Sequence, residues 1–218
     1  MHIPDGFLDP WVAGLFWLGS GAAIGLAVRR ARDELGDERT PLLGVVAAGV
    51  FAAQMLNWPI PGGTSAHFVG GAFAGVLLGP SLGVLAMTAV VTIQALVFGD
   101  GGIIALGANL FAMAVVDVFV GYALFRACRG VHETGAAFVA GWGAITVSAL
   151  VVGLGVGFSS AFAYAVGTTV PIMVVGHALL GLVEGAITAA VYGYVADARP
   201  DLVLGRSADE VAAPEVGA

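Results

Sequence analysis

Seven apolar stretches, joined by short turns, leave this chain one kind of environment in which to fold. They run roughly Trp11–Arg29, Pro41–Asn57, His67–Gly79, Ser81–Phe98, Ile104–Phe125, Gly135–Phe158 and Val170–Ala196. A helix that crosses a bilayer needs about 20 predominantly apolar residues. The third stretch is too short to cross alone, and only Gly79-Pro80 parts it from the fourth. Charged residues make up 11% of the chain, against about 25% in a soluble domain. The sequence therefore reads as an all-α, multi-pass membrane protein with a single bundle.

The arginines orient that bundle. There is no lysine; Arg29, Arg30, Arg32 and Arg39 follow the first stretch, Arg126 and Arg129 the fifth, and Arg199 and Arg206 the seventh. With seven spans all of them share one side, and the positive-inside rule makes that side cytoplasmic. The expectation is an amino terminus outside and a carboxyl terminus inside, in the cytoplasmic (inner) membrane. Residues 1–197 form the membrane domain, and 198–218 an acidic cytoplasmic tail expected to be disordered. The first stretch has Asp5, Asp9 and Pro10 ahead of it instead of a basic segment, so it reads as a retained helix and not as a signal peptide. A net charge of −7 argues against nucleic-acid binding. The single Cys128 excludes a disulfide framework or a cysteine metal cluster.

On the outer side the chain opens Met1-His2-Ile3-Pro4-Asp5-Gly6. A bulky second residue disfavours removal of the initiator methionine, so the Met1 amine should stand beside the His2 amide and ring. Those three nitrogens can close adjacent chelate rings on one ion once the amide deprotonates. Such a set suits metals that accept planar nitrogen coordination, nickel, cobalt or copper before magnesium or zinc. A second-position histidine can also be an accident of sequence. His67, expected to open the third helix after a Thr64-Ser65 cap, lies on the same side and could give a fourth nitrogen. It could equally be an interfacial residue.

Other polar residues cluster at that depth. Asn57, Thr64, Ser65, Gln94 and Asn109 are candidates to line a cavity open to the outside, with loop capping as the simpler role for about half of them. Deeper lie Asp117, His177 and Glu184. His177 and Glu184, seven residues apart, share one face of the last helix. A carboxylate at mid-membrane costs about 2.5–3.5 kcal/mol, so each should face the interior and be paired or protonated. An ion relay or a second metal position is one reading, and a structural hydrogen bond between helices is the preferred one. Gly44, Ala48 and Ala52 form a small-residue face on the second span, suited to packing in the bundle or against a partner.

These segments resemble the cobalt- and nickel-specific substrate-binding (S) subunits of energy-coupling-factor transporters. The resemblance rests on Met1 to Leu8, Asn57 to Gly71, Ile93 to Asn109 and Gly176 to Thr188. It implies a six-helix core plus one extra amino-terminal helix. It also implies metal ligation by Met1, His2 and His67, and contact with a transmembrane coupling subunit through Gly44, Ala48 and Ala52. ATPase subunits and any small accessory membrane subunit would be separate chains. The expected activity is uptake of Co2+ or Ni2+ as substrate, with no catalytic cofactor and no enzyme chemistry in this chain. The donor set does not separate the two metals, although the amino-terminal wording leans to the cobalt members. The alternatives are a stand-alone secondary transporter or channel coupled through Glu184 and Asp117, and an intramembrane zinc enzyme on His177 and Glu184. The first lacks the internal repeat common in such transporters, and the second lacks a His-Glu-x-x-His pattern.

Overall fold

The computed structural model describes residues 1–36, 39–61 and 64–203. Gly62, Gly63, Arg206 and the acidic tail from residue 204 lie outside the described residues. Within them are seven long or medium helices, one in each apolar stretch: α1 Pro10–Glu34, α2 Arg39–Gln54, α3 Gly71–Leu78, α4 Pro80–Val97, α5 Leu106–Cys128, α6 Glu133–Gly157 and α7 Val166–Ala198; a 3-10 turn at Pro200–Leu202 follows, so the start of the segment expected to be disordered is ordered. Five of them, α1, α4, α5, α6 and α7, are long and apolar enough to cross a membrane. The other two are shorter, α2 with 16 residues and α3 with 8. Leu15, Leu18, Leu179 and Leu182 are among many large apolar side chains left exposed, as helices facing lipid require.

The third stretch departs most from expectation. His67 does not open a helix. Asn57–Ile60 (β1) and Thr64–His67 (β2) instead form an antiparallel hairpin, with Asn57 opposite His67 and Ile60 opposite Thr64. The Trp58 and Phe68 rings pack edge to face beside it. Thr64 and Ser65 are therefore strand residues, and α3 is capped by Gly70 in a left-handed conformation, φ 74°, which glycine adopts without strain.

A helix of 8 residues is only about 12 Å long, so α3 begins inside the protein with its first N–H groups in need of acceptors. Two carboxylates meet that need. Glu184 on α7 accepts from the Val69 and Gly70 amides, both at 2.8 Å. Asp117 on α5 accepts from Ala72 N at 2.8 Å. Negative groups are favoured at a helix N-terminus by the dipole as well. The Gln54 amide donates to Val69 O from the end of α2. Three helices thus grip the segment that carries His67.

Behind it, α3 folds back on α4 at Gly79-Pro80, and glycine lets the two backbones nearly touch. A methyl group on Gly83 would come within 3.0 Å of the Gly75 backbone, and one on Gly75 within 2.8 Å of Val118 O. Ser81 Oγ donates to Glu34 at 2.9 Å, fixing this turn to the end of α1. Replacing Gly75 with valine should lower stability by about 2 kcal/mol through overpacking. The check is the thermal midpoint of the detergent-solubilised protein; an unchanged midpoint would show that α3 does not pack against α5 at this point.

Candidate metal site

The residues before α1 form an arm that enters the bundle instead of trailing from it. Met1 is 2% exposed and Ile3 2%. The backbone of Ile3 is held as a strand would be: its N–H donates to Asn109 Oδ1 at 2.8 Å, and its carbonyl accepts from Asn109 Nδ2 at 3.1 Å and Gly102 N at 2.9 Å. Asp5 then accepts from the amides of Ile103, Ile104 and Ala105 at 2.8–3.1 Å, capping the turn that leads into α5. Further on, Asp9 accepts from the Ser160 amide and hydroxyl, tying the start of α1 to the α6–α7 loop. The chain direction at residues 1–3 is thus set by side chains from distant helices.

That arm delivers Met1 and His2 to His67. The Met1 amine donates to Ser65 Oγ at 2.9 Å. The His2 and His67 ring centroids are 4.6 Å apart, with planes 16° from parallel. His67 Nδ1 lies 2.6 Å from Phe68 O; a carbonyl can only accept, so Nδ1 carries the hydrogen and Nε2 presents its lone pair. His67 Nε2 and both nitrogens of His2 are buried without a hydrogen-bond partner. A buried unpaired polar atom costs about 1–3 kcal/mol. Three such nitrogens stand close together here, with only Asp100 Oδ2 near His2 Nδ1 at 3.4 Å, which suits them to hold an ion.

The geometry fits a planar ion. Two imidazoles bound at neighbouring corners of one coordination plane, with metal–nitrogen bonds of about 2.0 Å, would have centroids about 4.5 Å apart, close to the 4.6 Å seen here; the near-parallel rings would have to turn relative to one another, because coplanar neighbours collide through their C–H edges. Among the described residues no three His, Cys, Asp or Glu side chains gather into a metal cluster; the donors that do gather are one amine, one amide and two imidazoles. A cavity of about 190 Å³ beside Met1 and His2 is lined also by Thr64, Ser65, Val152 and Met173.

Burial keeps these donors neutral. It lowers the Met1 amine from 8.0 to about 4, against a smaller upward pull from the Asp100 carboxylate. It lowers His2 from 6.5 to about 3, with the nearby amine pushing the same way. His67 is pushed well down by burial, then by the amine and His2. Asp100 is raised by burial and pulled back by the amine.

Of the residues expected around the cavity, Thr64 and Ser65 line it, Asn109 clamps the arm, and Gln94 is buried beside His2. Neither polar atom of Gln94 completes a hydrogen bond. Asn57 is the exception: it is exposed on β1, although its strand partner His67 is buried. The deeper trio divides. Asp117 and Glu184 hold the start of α3, so the structural reading fits them better than an ion relay, although they bond to backbone and not to one another's helices. His177 on α7 is fully buried and close enough to His67 to act on it electrostatically, with Nδ1 2.8 Å from Met173 O. Gly44, Ala48 and Ala52 are exposed along one face of α2, while Val46, Val50 and Gln54 on the opposite face are buried. Sequence reasoning missed the clamp roles of Asp5 and Asn109 and the placement of Asp100; the signal that could have found them is the short Gly99–Gly102 turn, which leaves little room except against another chain segment.

A helical membrane bundle that tucks its own amino terminus inside, to present nitrogen lone pairs, is a protein for handling a transition-metal ion. Residues 2–202 match the family described as the cobalt uptake substrate-specific transmembrane region, and the chain belongs to that family. It is 78% identical over 216 residues to a protein named for metal transport in Haloquadratum walsbyi, covering 99% of each. It is 34% identical over 233 residues to the fused nickel transport protein NikMN of Rhodobacter capsulatus, covering 99% of this chain and 67% of that one. With the cobalt transport protein CbiM of Geobacter sulfurreducens the identity is 33% over 226 residues, covering 100% and 65%. A crystal structure of a truncated transition metal transporter superposes with a TM-score of 0.87 at 32% identity, covering 91% of this chain and 99% of that one.

Two predictions follow from the docked arm. Asn109→Ala should weaken metal binding about 10- to 100-fold, as loss of an outer-shell support does, with nickel titration as the check; unchanged affinity would mean the Ile3 clamp does not position the donors. The second concerns pH. The amine and His2 are bases kept neutral by the fold, so the undocked chain binds more protons below pH 8 than the docked one. Stability gained by docking is therefore present at high pH and is lost as pH falls from 8 towards 4. The thermal midpoint of the metal-free protein should drop across that window; a flat profile would contradict a buried neutral amine.

Proposed function

We propose that this chain captures Co2+ or Ni2+ outside the cytoplasmic membrane and carries it inward as the substrate-binding subunit of an ATP-driven energy-coupling-factor transporter. The observation that carries the reading is the buried His2 and His67 rings 4.6 Å apart, beside a buried Met1 amine held by Ser65. Family membership supports the metal class, and the position of every arginine supports an amino terminus outside. The Met1 amine, His2 N, His2 Nδ1 and His67 Nε2 take the four corners of a planar site. Amine and imidazoles are already neutral, so only the His2 amide proton must leave when the ion binds.

Transport then requires the loaded site to reach the other side. The exposed Gly44, Ala48 and Ala52 face of α2 suits close approach by a transmembrane coupling subunit. Separate ATPase subunits, and a small accessory membrane subunit, complete the assembly. The bundle topples or rotates against the coupling subunit, and ATP binding and hydrolysis reset it. A secondary transporter coupled through Glu184 and Asp117 is less well supported, since both oxygens of Glu184 and one of Asp117 are already taken by backbone amides.

Replacing His2 or His67 with alanine should weaken nickel and cobalt binding by more than about 100-fold without unfolding the bundle. One residue added before Met1 should do nearly as much damage, because it moves the amine. Isothermal titration of the purified variants is the check. Normal affinity in both histidine variants would end the site assignment, and normal affinity in the extended protein would end ligation by the amine.

A further inference from the structure

The Gly99-Asp100-Gly101-Gly102 turn between α4 and α5 is wrapped tightly on the amino-terminal arm. Asp100 N donates to Gln94 O and Gly102 N to Ile3 O, both at 2.9 Å. Gly99 and Gly101 take φ values of 68° and 97°, and a methyl group on Gly101 would lie 2.8 Å from Asn109 Nδ2 and 3.4 Å from His2 Cβ. Glycine is needed at that close approach. The result is to aim the Asp100 carboxylate at the donors: Oδ2 stands 3.4 Å from His2 Nδ1 and is also felt by the Met1 amine.

This placement is informative because of the charge balance. Ser65, Thr64, Gln94 and Asn109, the other polar side chains about the donors, are neutral, and the Asp5 carboxylate is committed to three backbone amides. When a divalent ion binds, one N–H bond of the His2 amide breaks, its proton leaves to solvent, and a metal–nitrogen bond forms with no change of oxidation state. A neutral amine, two neutral imidazoles and one amide anion leave a complex of net charge +1. Burying an uncompensated charge is costly.

We propose that Asp100 is the counter-charge of the occupied site, drawing a divalent cation to the arm and bringing the buried chelate to neutrality. The proposal rests on ligation by Met1, His2 and His67. Asp100 lies beside His2 Nδ1 and outside the four nitrogens assigned to the ion, so its role is charge balance and positioning. Its side chain is 28% exposed, so it can attract an ion from solution and still act at short range.

The test uses the purified full chain with Ni2+ as probe, and compares the wild type with D100N and D100E. D100N should weaken nickel affinity about tenfold and slow association at low ionic strength, with the difference in rate shrinking as salt is added. At saturating nickel it should keep the absorption band of planar nickel bound to an amide, and D100E should recover most of the affinity. D100N within twofold of the wild type in affinity and rate overturns the proposal. So does D100E as weak as D100N, which would assign the loss to shape and not charge, even if D100N also lowered stability. In either case, a wild type that binds nickel and loses it with H67A leaves the underlying site reading intact; a wild type that binds none sinks that reading itself.

Discussion

Everything at the site depends on a backbone that cannot be left unpaired inside a membrane. Residues 64–70 are not helical, and α3 starts within the protein, so a run of amide groups would face a medium without water to satisfy them. Glu184 and Asp117 accept those amides, and Gln54 donates to the carbonyl of Val69. Each comes from a different helix. The segment they hold carries His67 at its start and the α3–α4 turn at its end. Two buried carboxylates are a high cost in hydrocarbon, and here they are matched to the positive end of a helix. The costly groups are thus part of the frame that supports His67, which lies three residues before Gly70.

The second half of the site is brought by the chain end. Sinking an amine into a bundle is unfavourable while it is charged, and the fold resolves this by keeping it neutral beside a single hydroxyl acceptor, Ser65. The arm is positioned through the Ile3 backbone and through Asp5, whose carboxylate is taken up by backbone amides. Asn109 and the Gly99–Gly102 turn hold it from α5 and from the α4–α5 connection. One frame fixes His67, another fixes His2, and the 4.6 Å between their rings is the point at which the two meet.

The seven helices were legible because each is apolar over most of its length, and hydropathy alone marks such a stretch. That Met1, His2 and His67 would be neighbours was legible from donor chemistry, since a terminal amine next to a histidine suits a chelate, and from the arginine pattern, which suggested a common side. The hairpin was not. A Thr-Ser pair before an apolar run reads as a helix cap, and what overrides it is pairing across the turn, Asn57 with His67, which no local pattern reports. Asn57 was misplaced for the same reason: it opens the exposed strand of that hairpin, while His67 lies on the buried one. Asp117 and Glu184 could be seen to need partners, but those partners are backbone amides more than 40 residues away in sequence, and a backbone group carries no sequence signature.

The central claim is that the amino terminus and His67 together form a planar four-nitrogen site for a transition-metal ion. X-ray absorption at the nickel edge of the loaded protein tests it most directly. The account predicts four nitrogen donors at a single short distance, imidazole back-scattering from two rings, and the pre-edge feature of a planar centre. A six-coordinate spectrum with oxygen donors would contradict it.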